Sequence, residues 1–139
     1  MEFGGEKISR EKTEGDRYWE CSVWAVADNL YLALPVSDIE PSLDENLNHS
    51  CDANAWLVDE ISLMARRDIS AGEEITLDQG TWNFDEKEYT WDQMECGCGA
   101  RDCRKSLTER DWMLAAVRER YSGHFHPLVQ KMIDAQFGR

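Results

Sequence analysis

The stretches Asn48-His49-Ser50-Cys51 and Cys96-Gly97-Cys98-Gly99-Ala100-Arg101-Asp102-Cys103 decide the fold of this chain. The second stretch is a compact Cys-x-Cys-x4-Cys cluster that supplies three thiolates. A structural zinc ion takes four sulfur or nitrogen ligands, with sulfur at about 2.3 Å, so the cluster needs a fourth ligand from elsewhere in the fold. We expect Cys51 to be that ligand. Zinc would then hold residues 96–103 against the Asn-His-Ser-Cys segment and organise the site that this segment builds.

The composition is that of one small domain with reduced thiols. A chain of 139 residues suits a single core, and five cysteines are an odd number for a framework made only of disulfides. The fifth cysteine, Cys21, lies between Trp19 and Trp24, which predicts a small buried hydrophobe. The sequence has no leader-like segment and no apolar run of about 20 residues. We therefore expect a soluble protein of the cytoplasm or another intracellular compartment, with no membrane partner.

The charge of the chain narrows the choice of partners. The net charge is −13, and the densest basic stretch, residues 101–110, is interrupted by Asp102 and Glu109. Nucleic acid is therefore not expected as a partner, because phosphate binding needs clustered Lys and Arg. An acidic surface favours a basic, lysine-containing peptide, although the same charge also serves simply to keep a small protein soluble. A homodimer is possible if exposed Trp and Leu residues cover one another.

The first half of the chain has the pattern of strands and tight turns. Dense β-prone residues from 18 to 34 surround the turn pair Asp28-Asn29, which predicts a hairpin. Residues 55–65 predict a second extended pair around Asp59-Glu60. We expect strands to dominate this half.

The pattern changes after the cysteine cluster. Thr108 suits an N-cap, and apolar residues such as Trp112 and Val117 form a helical stripe that ends near Gly123. A second short helix is expected to follow Pro127. The fold class is therefore mainly β with short C-terminal helices.

Three segments carry a family resemblance. LNHSCDANA (47–55), ARRDISAGEEIT (65–76) and CGCGARDCR (96–104) resemble, in order and spacing, the SET domain and the zinc-binding post-SET segment that follows it. The tail 121–127 further resembles that of small stand-alone SET proteins of bacteria and fungi. The resemblance spans roughly residues 5–105.

The resemblance implies a β-clip fold in which the Asn-His-Ser-Cys segment passes under a neighbouring loop to make a pseudoknot. It implies a division into a SET domain (1–92), a post-SET zinc cluster (93–107) and a helical tail (108–139). The four zinc ligands would be Cys51, Cys96, Cys98 and Cys103, since Cys51 stands where the family places its fourth ligand.

The family's activity is the transfer of a methyl group from S-adenosylmethionine to a lysine side chain. The resemblance implies that the Asn48 side chain and the His49 backbone contact this cofactor on one face of the knot. The substrate lysine would enter by a narrow channel from the opposite face, and its neutral amine would attack the methyl group in line. The ring of His49 is expected to be structural, not a catalytic base.

The chain departs from the family at the catalytic strand. Where the family reads Thr-Phe/Tyr-Asp-Tyr, this sequence reads Thr76-Leu77-Asp78-Gln79. Gln79 occupies the position of the catalytic tyrosine, and its amide does not titrate near neutral pH. Leu77 occupies the Phe/Tyr position that tunes the number of methyl groups added, and Asp78 should face away from the channel. Aromatic residues that could fold back to line the widened channel are Trp82, Phe84, Tyr89 and Trp91.

A second departure concerns the N-terminal strand. The family begins with a Gly-x-Gly segment that cradles the methionine end of the cofactor, and Gly5-Glu6-Lys7-Ile8 resembles only the step that follows it. Without the glycine segment, we expect cofactor affinity to fall by roughly one to several powers of ten. Three explanations stay open: a truncated chain, a fragment completed by a partner chain, and a scaffold no longer used for methyl transfer.

Two functions therefore remain. The first is an S-adenosylmethionine-dependent protein-lysine methyltransferase, which the cysteine cluster and the Asn48-His49 pair favour. The second is a non-methylating SET scaffold that acts as a binding module or as a repurposed small-molecule enzyme, which Gln79, Leu77 and the glycine departure favour.

Overall fold

The computed structural model describes residues 6–9, 23–33, 47–83 and 94–138. Within these ranges the chain forms short strands first and α-helices last, as the sequence predicts. The strands are β1 (Glu6–Ser9), β2 (Val23–Ala27), β3 (Leu30–Ala33), β4 (Asn48–His49), β5 (Ala55–Leu57), β6 (Leu63–Ala65), β7 (Thr76–Leu77), β8 (Met94–Glu95) and β9 (Ser106–Leu107). The helices are α1 (Ala115–Arg120) and α2 (Pro127–Phe137), and two 3-10 turns cover Gln79–Thr81 and Asp111–Met113.

The N-terminal sheet has the order β1-β3-β2 and is antiparallel throughout. The hairpin β2–β3 is the one predicted, and its turn residue Asn29 has a φ of 60°. Asn accepts this left-handed conformation more readily than most residues because its short side chain bonds locally. The register shifts between Ala25 and Ala27, which marks a bulge in β2.

The second predicted pair is also confirmed. Strands β5 and β6 are antiparallel, and the Asp59 carboxylate accepts the backbone N–H groups of Ile61 and Ser62 in the connecting turn. The hydrogen bond from Ile61 lowers the pKa of Asp59. An Asp side chain that captures the backbone two residues on is a turn former, which is why the local sequence sufficed to predict this hairpin.

A pairing that the local pattern does not predict joins β4 to β7. These strands are parallel, with Asn48 opposite Thr76 and His49 opposite Leu77. The buried side chain of Asn54 holds this arrangement, since its oxygen accepts the Thr76 N–H at 2.9 Å and its NH₂ donates to the Glu74 carbonyl at 2.8 Å. The 48–51 segment therefore lies beside the segment that follows Thr76.

The C-terminal part differs in one respect from the prediction. Thr108 does not cap α1, because a 3-10 turn lies between them; its hydroxyl accepts the Arg110 N–H at 3.2 Å and donates to the Asp111 carboxylate. An extended residue, Leu114, separates that turn from α1. The helix ends at Arg120 with Tyr121 as its C-cap, next to the predicted end at Tyr121-Ser122-Gly123, and Gly123 has a φ of 80°.

Both helices cover a core built from several parts of the chain. The second helix begins at Pro127 as predicted, with the His126 ring accepting the Leu128 N–H. Neither of the helices described is long and apolar enough to cross a membrane. One apolar cluster among the described residues contains Ala53, Trp112, Val117, Tyr121, Phe125 and Val129.

His126 makes stability depend on pH. Its side chain is 1 % exposed, and burial lowers its pKa to about 4, against the opposing effects of the Ala25 backbone and of Glu60. Because the unfolded chain binds a proton near pH 6.5 and the folded chain does not, this contribution to stability is complete above 6.5 and is lost as pH falls towards 4. Between pH 7 and 5 the loss should be about 2 kcal/mol.

The substitution His126→Asn removes the titrating ring and retains a side-chain acceptor for the helix cap. We expect the difference in unfolding free energy between this variant and the parent to change by about 2 kcal/mol from pH 7 to pH 5 in favour of the variant. Urea unfolding at several pH values measures it, and contributions common to both proteins cancel. Parallel pH curves for the two proteins would contradict the prediction.

Candidate active site and metal centre

Free thiols gather where β4 ends. The Cys51 and Cys96 side chains are buried, Cys98 is half-buried, and the sulfur atoms of Cys51 and Cys96 lie 3.8 Å apart. Two thiolates of a tetrahedral zinc site are separated by about 3.8 Å when each lies about 2.3 Å from the ion. The ligand atoms of Cys51, Cys96, Cys98 and His49 all lie within 4.8 Å of one another, so this cluster could hold a metal ion.

The structure places Cys103 beside this group. Its sulfur lies 3.5 Å from the Cys96 carbonyl oxygen, and it packs against the same buried cluster. Three of the four cysteines expected as ligands are thus gathered together with His49, and the fourth is their neighbour. The position of His49 within the cluster is a feature that the sequence did not predict.

Backbone N–H groups point at the sulfur atoms. Cys51 N–H donates to the Cys98 sulfur at 3.5 Å, and Arg104 N–H donates to the Cys51 sulfur at 3.4 Å. Burial raises the pKa of Cys51. For Cys98 burial acts in the same direction, but hydrogen bonds from the N–H groups of Cys51 and Ala100 and from the thiols of Cys96 and Cys103 together outweigh it and lower the pKa. A metal ion would therefore displace a proton from Cys51, and its affinity should fall as pH falls.

The His49 ring connects this cluster to the strand beside it. Its Nδ1 accepts the Gln79 N–H at 3.1 Å, and its Nε2 lies 3.3 Å from the Cys51 sulfur. The ring is almost fully buried, and burial lowers its pKa. The neutral imidazole thus contacts the Cys51 sulfur through one ring nitrogen and the Gln79 backbone through the other.

A buried ion network adjoins the same strand. The Asp78 carboxylate is 0 % exposed and receives two Arg104 N–H bonds, each 2.7 Å long. Arg104 also donates to the buried carboxylate of Asp111 at 2.8 Å. Burial opposes the charge on Arg104, but Asp78 and Asp111 outweigh it and raise its pKa. Asp78 also accepts the Gly80 N–H and so caps the 3-10 turn that contains Gln79.

Leu77 and Gln79, the two residues that differ from the family pattern, lie in different surroundings. Leu77 is buried against Leu57, Leu63 and Trp82. The Gln79 side-chain oxygen is buried and has no hydrogen-bond partner among the residues that the structure describes. This oxygen is therefore available to accept a hydrogen bond from a ligand.

Asn48 lies at the exposed end of this site. Its amide donates to the Glu74 carboxylate at 2.5 Å, and both side chains belong to exposed residues. Strand β4, which carries Asn48, is paired only with β7 in the described part of the chain.

Comparison with known proteins identifies the architecture. Residues 6–80 match the model of the SET domain family, which covers β1 to Gly80 and includes both strands of the parallel pair. The chain belongs to the SET domain family. The mostly stranded structure with two short helices is consistent with a SET fold.

One curated relative of this SET domain is the probable histone-lysine N-methyltransferase set-23 of Caenorhabditis briggsae. The two are 29% identical over 126 residues, which cover 76% of this chain and 49% of that protein. The chain therefore spans about half the length of the relative it matches. The family match and the relative together make this a methyltransferase-like SET protein.

Several predictions about the SET domain fall on residues outside the described ranges. These are the missing glycine segment, which would precede Glu6, the buried position of Cys21, and the aromatic residues Phe84, Tyr89 and Trp91. The fourth aromatic residue, Trp82, is described and packs against the buried cluster that contains Leu77.

Sequence reasoning missed the partners that surround Asp78. Arg104 and Asp111 lie 26 and 33 positions further along the chain, where no periodic pattern links them to a strand residue. The only hint was the position of Arg104 directly after the last cysteine of the cluster.

Proposed function

We propose that this SET domain transfers methyl groups from S-adenosylmethionine to lysine side chains of a basic protein. The observation that carries the proposal is the parallel pairing of β4 with β7. It sets Asn48 and His49 opposite Thr76 and Leu77, and the His49 ring accepts the N–H of Gln79. The family resemblance implies cofactor binding at Asn48 and His49 and a part in the reaction for Leu77 and Gln79. The name of the curated relative supports the same class of activity.

Zinc is proposed as the structural metal, with Cys51, Cys96, Cys98 and Cys103 as its ligands. The donor set fits, since soft thiolates at tetrahedral spacing suit this ion. We propose the corresponding division of the chain into a SET domain (1–92), a post-SET zinc segment (93–107) and a helical tail (108–139). The metal would tie the second of these to the first.

The cofactor would lie against β4. When bound, S-adenosylmethionine supplies a methyl group carried on a sulfonium, which an amine can displace in line. The exposed Asn48 amide can exchange its Glu74 partner for an acceptor on a ligand, and the backbone of His49 lies next to it on the same short strand. These two residues would bind and orient the cofactor.

Gln79 would orient the substrate amine. Its open side-chain oxygen can accept an N–H bond from a lysine amine, while its amide cannot take the proton away. The proton released on methylation would therefore pass to water. Leu77, turned into the core against Trp82, offers no hydroxyl or ring edge to restrict the number of methyl groups.

A basic, lysine-containing protein or peptide is the substrate class we propose. The net charge of −13 attracts such a partner and repels nucleic acid. The curated relative is named for action on histones, which are proteins of this kind.

The second candidate function is a SET scaffold that binds a lysine-containing peptide or a small molecule without methylating it. The absence of a titratable hydroxyl at Gln79 favours it, as does the aliphatic side chain at Leu77. Dimerisation of such a module is compatible with either function.

Calorimetric titration of the zinc-loaded chain with S-adenosylmethionine and with its demethylated product tests the proposal. We expect binding with micromolar affinity, for which Asn48→Ala should show a loss of about tenfold. Failure to bind either compound would overturn methyl transfer by this chain and leave the binding scaffold.

The substitution Gln79→Tyr should raise the rate of lysine methylation about tenfold or more, because it supplies a hydroxyl that can orient the amine and relay its proton. Radiolabel transfer to lysine-rich peptides measures this rate. Gln79→Phe is the matched control, since it adds the ring without the hydroxyl and should not raise the rate. An equal gain in both variants would contradict a role for the hydroxyl.

A further inference from the structure

Two hydrogen-bonded routes lead from one sulfur atom to one short segment of the chain. The Cys51 sulfur is contacted by the His49 ring and by the Arg104 N–H. The far side of the ring reaches the backbone of Gln79, and the guanidinium of Arg104 reaches the carboxylate of Asp78. These contacts form a closed ring that passes through Cys51, His49, Gln79, Asp78 and Arg104.

The first route determines which ring nitrogen of His49 carries the proton. The Gln79 N–H can only donate, so Nδ1, 3.1 Å away, must be the acceptor and cannot itself hold a proton. Asp78 does not offer Nδ1 an alternative partner, because its nearest oxygen is 3.8 Å from Nδ1 and already receives N–H bonds from Gly80 and Arg104. A neutral imidazole then has its proton on Nε2.

A protonated Nε2 excludes His49 from the metal's ligands. A ligating nitrogen needs a free lone pair, whereas Nε2–H lies 3.3 Å from the Cys51 sulfur and can donate to it. Direct ligation through Nε2 would require the neutral ring to lose its one remaining N–H proton and become an imidazolate, or to move that proton to Nδ1 and give up the Gln79 N–H. The fourth coordination position is left to a residue beside the group, and Cys103 is the thiol that lies there.

The second route anchors the other side of the segment. The Arg104 N–H donates to the Cys51 sulfur at 3.4 Å, and its side chain makes a two-point contact with Asp78. Asp78 directly precedes Gln79 and caps the turn in which Gln79 lies. A displacement of the Cys51 sulfur would therefore displace residues 78 and 79, because hydrogen bonds through His49 and through Arg104 connect them to it.

We infer that His49 and Arg104 are positioning residues that couple the metal-bound thiolate of Cys51 to the backbone of Gln79. The inference rests on the proposed metal centre. A thiolate held by the metal is a fixed acceptor for both N–H groups, so metal binding orders the segment that presents the Gln79 side chain. Loss of the metal frees the Cys51 sulfur to move and weakens its hydrogen bonds to the His49 ring and to the Arg104 N–H.

Nitrogen-15 NMR of the zinc-loaded chain tests the first step. We expect His49 to show the neutral form with the proton on Nε2, and X-ray absorption at the zinc edge to show four sulfur ligands at about 2.3 Å. A proton on Nδ1, or a shell of three sulfurs and one imidazole nitrogen, would overturn the inference while leaving the metal centre in place. A chain that binds no zinc would overturn the metal centre itself.

Amide hydrogen exchange tests the coupling. We expect removal of zinc by a chelator to speed exchange at the Gln79 amide at least tenfold in the parent chain. In His49→Phe, one zinc ion should still bind through four sulfurs, with affinity reduced about 10- to 100-fold, and Gln79 exchange should already be fast. Unchanged exchange at Gln79 on zinc removal would overturn the coupling, even if the variant fails to fold.

The matched control is His124→Phe. This half-buried histidine stacks on Trp56 at 3.6 Å and contacts the Leu57 carbonyl, away from the cysteine cluster. Its replacement should leave zinc affinity and Gln79 exchange unchanged. Equal effects of the two substitutions would overturn a specific role for His49.

Discussion

Replacing Cys98 by serine is expected to release the metal ion and to lower the midpoint of thermal unfolding by about 10–20 °C. A serine hydroxyl is a poor substitute for a thiolate at a soft-ligand site, and binding energy at a structural metal is folding energy. Strands β8 and β9, on either side of the cysteine cluster, contribute only two residues each, so sheet pairing adds little to the hold that the metal and the Arg104 ion pairs have on this segment. Metal analysis and scanning calorimetry measure the two effects.

The fifth cysteine provides the control for this substitution. Cys21 lies outside both cysteine motifs, so Cys21→Ser should retain one metal ion per chain. Retention of one ion by Cys98→Ser would contradict the proposed ligand set.

Replacing Arg104 by methionine is expected to lower the free energy of unfolding by about 3–5 kcal/mol. The guanidinium is the shared partner of two buried carboxylates, Asp78 and Asp111, and is itself 13 % exposed. Removing it leaves two negative charges with little access to water, and the lost Coulombic partner cannot be replaced by solvent. Arg104→Lys should recover part of the loss, because lysine restores the charge without the two-point geometry. Urea unfolding of metal-loaded protein measures these values.

Arg101→Met is the matched control for the Arg104 substitution. The Arg101 side chain is 97 % exposed and its nearest carboxylate, on Asp102, is 3.8 Å away. An exposed pair of this kind contributes little, so its loss should change the unfolding free energy by less than about 0.5 kcal/mol. Equal effects at the two positions would show that the buried network does not stabilise the fold.

The local elements were predictable because each depends on a few neighbouring residues. Asn29 adopts the left-handed turn that the first hairpin needs, and Asp59 closes the second by accepting two N–H groups of its own turn. Pro127 begins the last helix where its missing N–H costs nothing. Thr108 was the exception, because its hydroxyl oxygen accepts the Arg110 N–H at the start of a 3-10 turn that formed in place of the first helical turn.

The sequence by itself determined the family and the order of strands and helices, and it marked four cysteines as candidate metal ligands, because motifs and turn residues act over short distances. Only the tertiary structure decided that His49 reaches both Cys51 and Gln79, and that Arg104 is shared by Asp78 and Asp111. A chain with 15 basic and 28 acidic residues allows many different ion pairs, and the distance between two residues along the sequence does not show which of these pairs form. The parallel pairing of β4 with β7 selects one pairing by placing distant residues within hydrogen-bond reach.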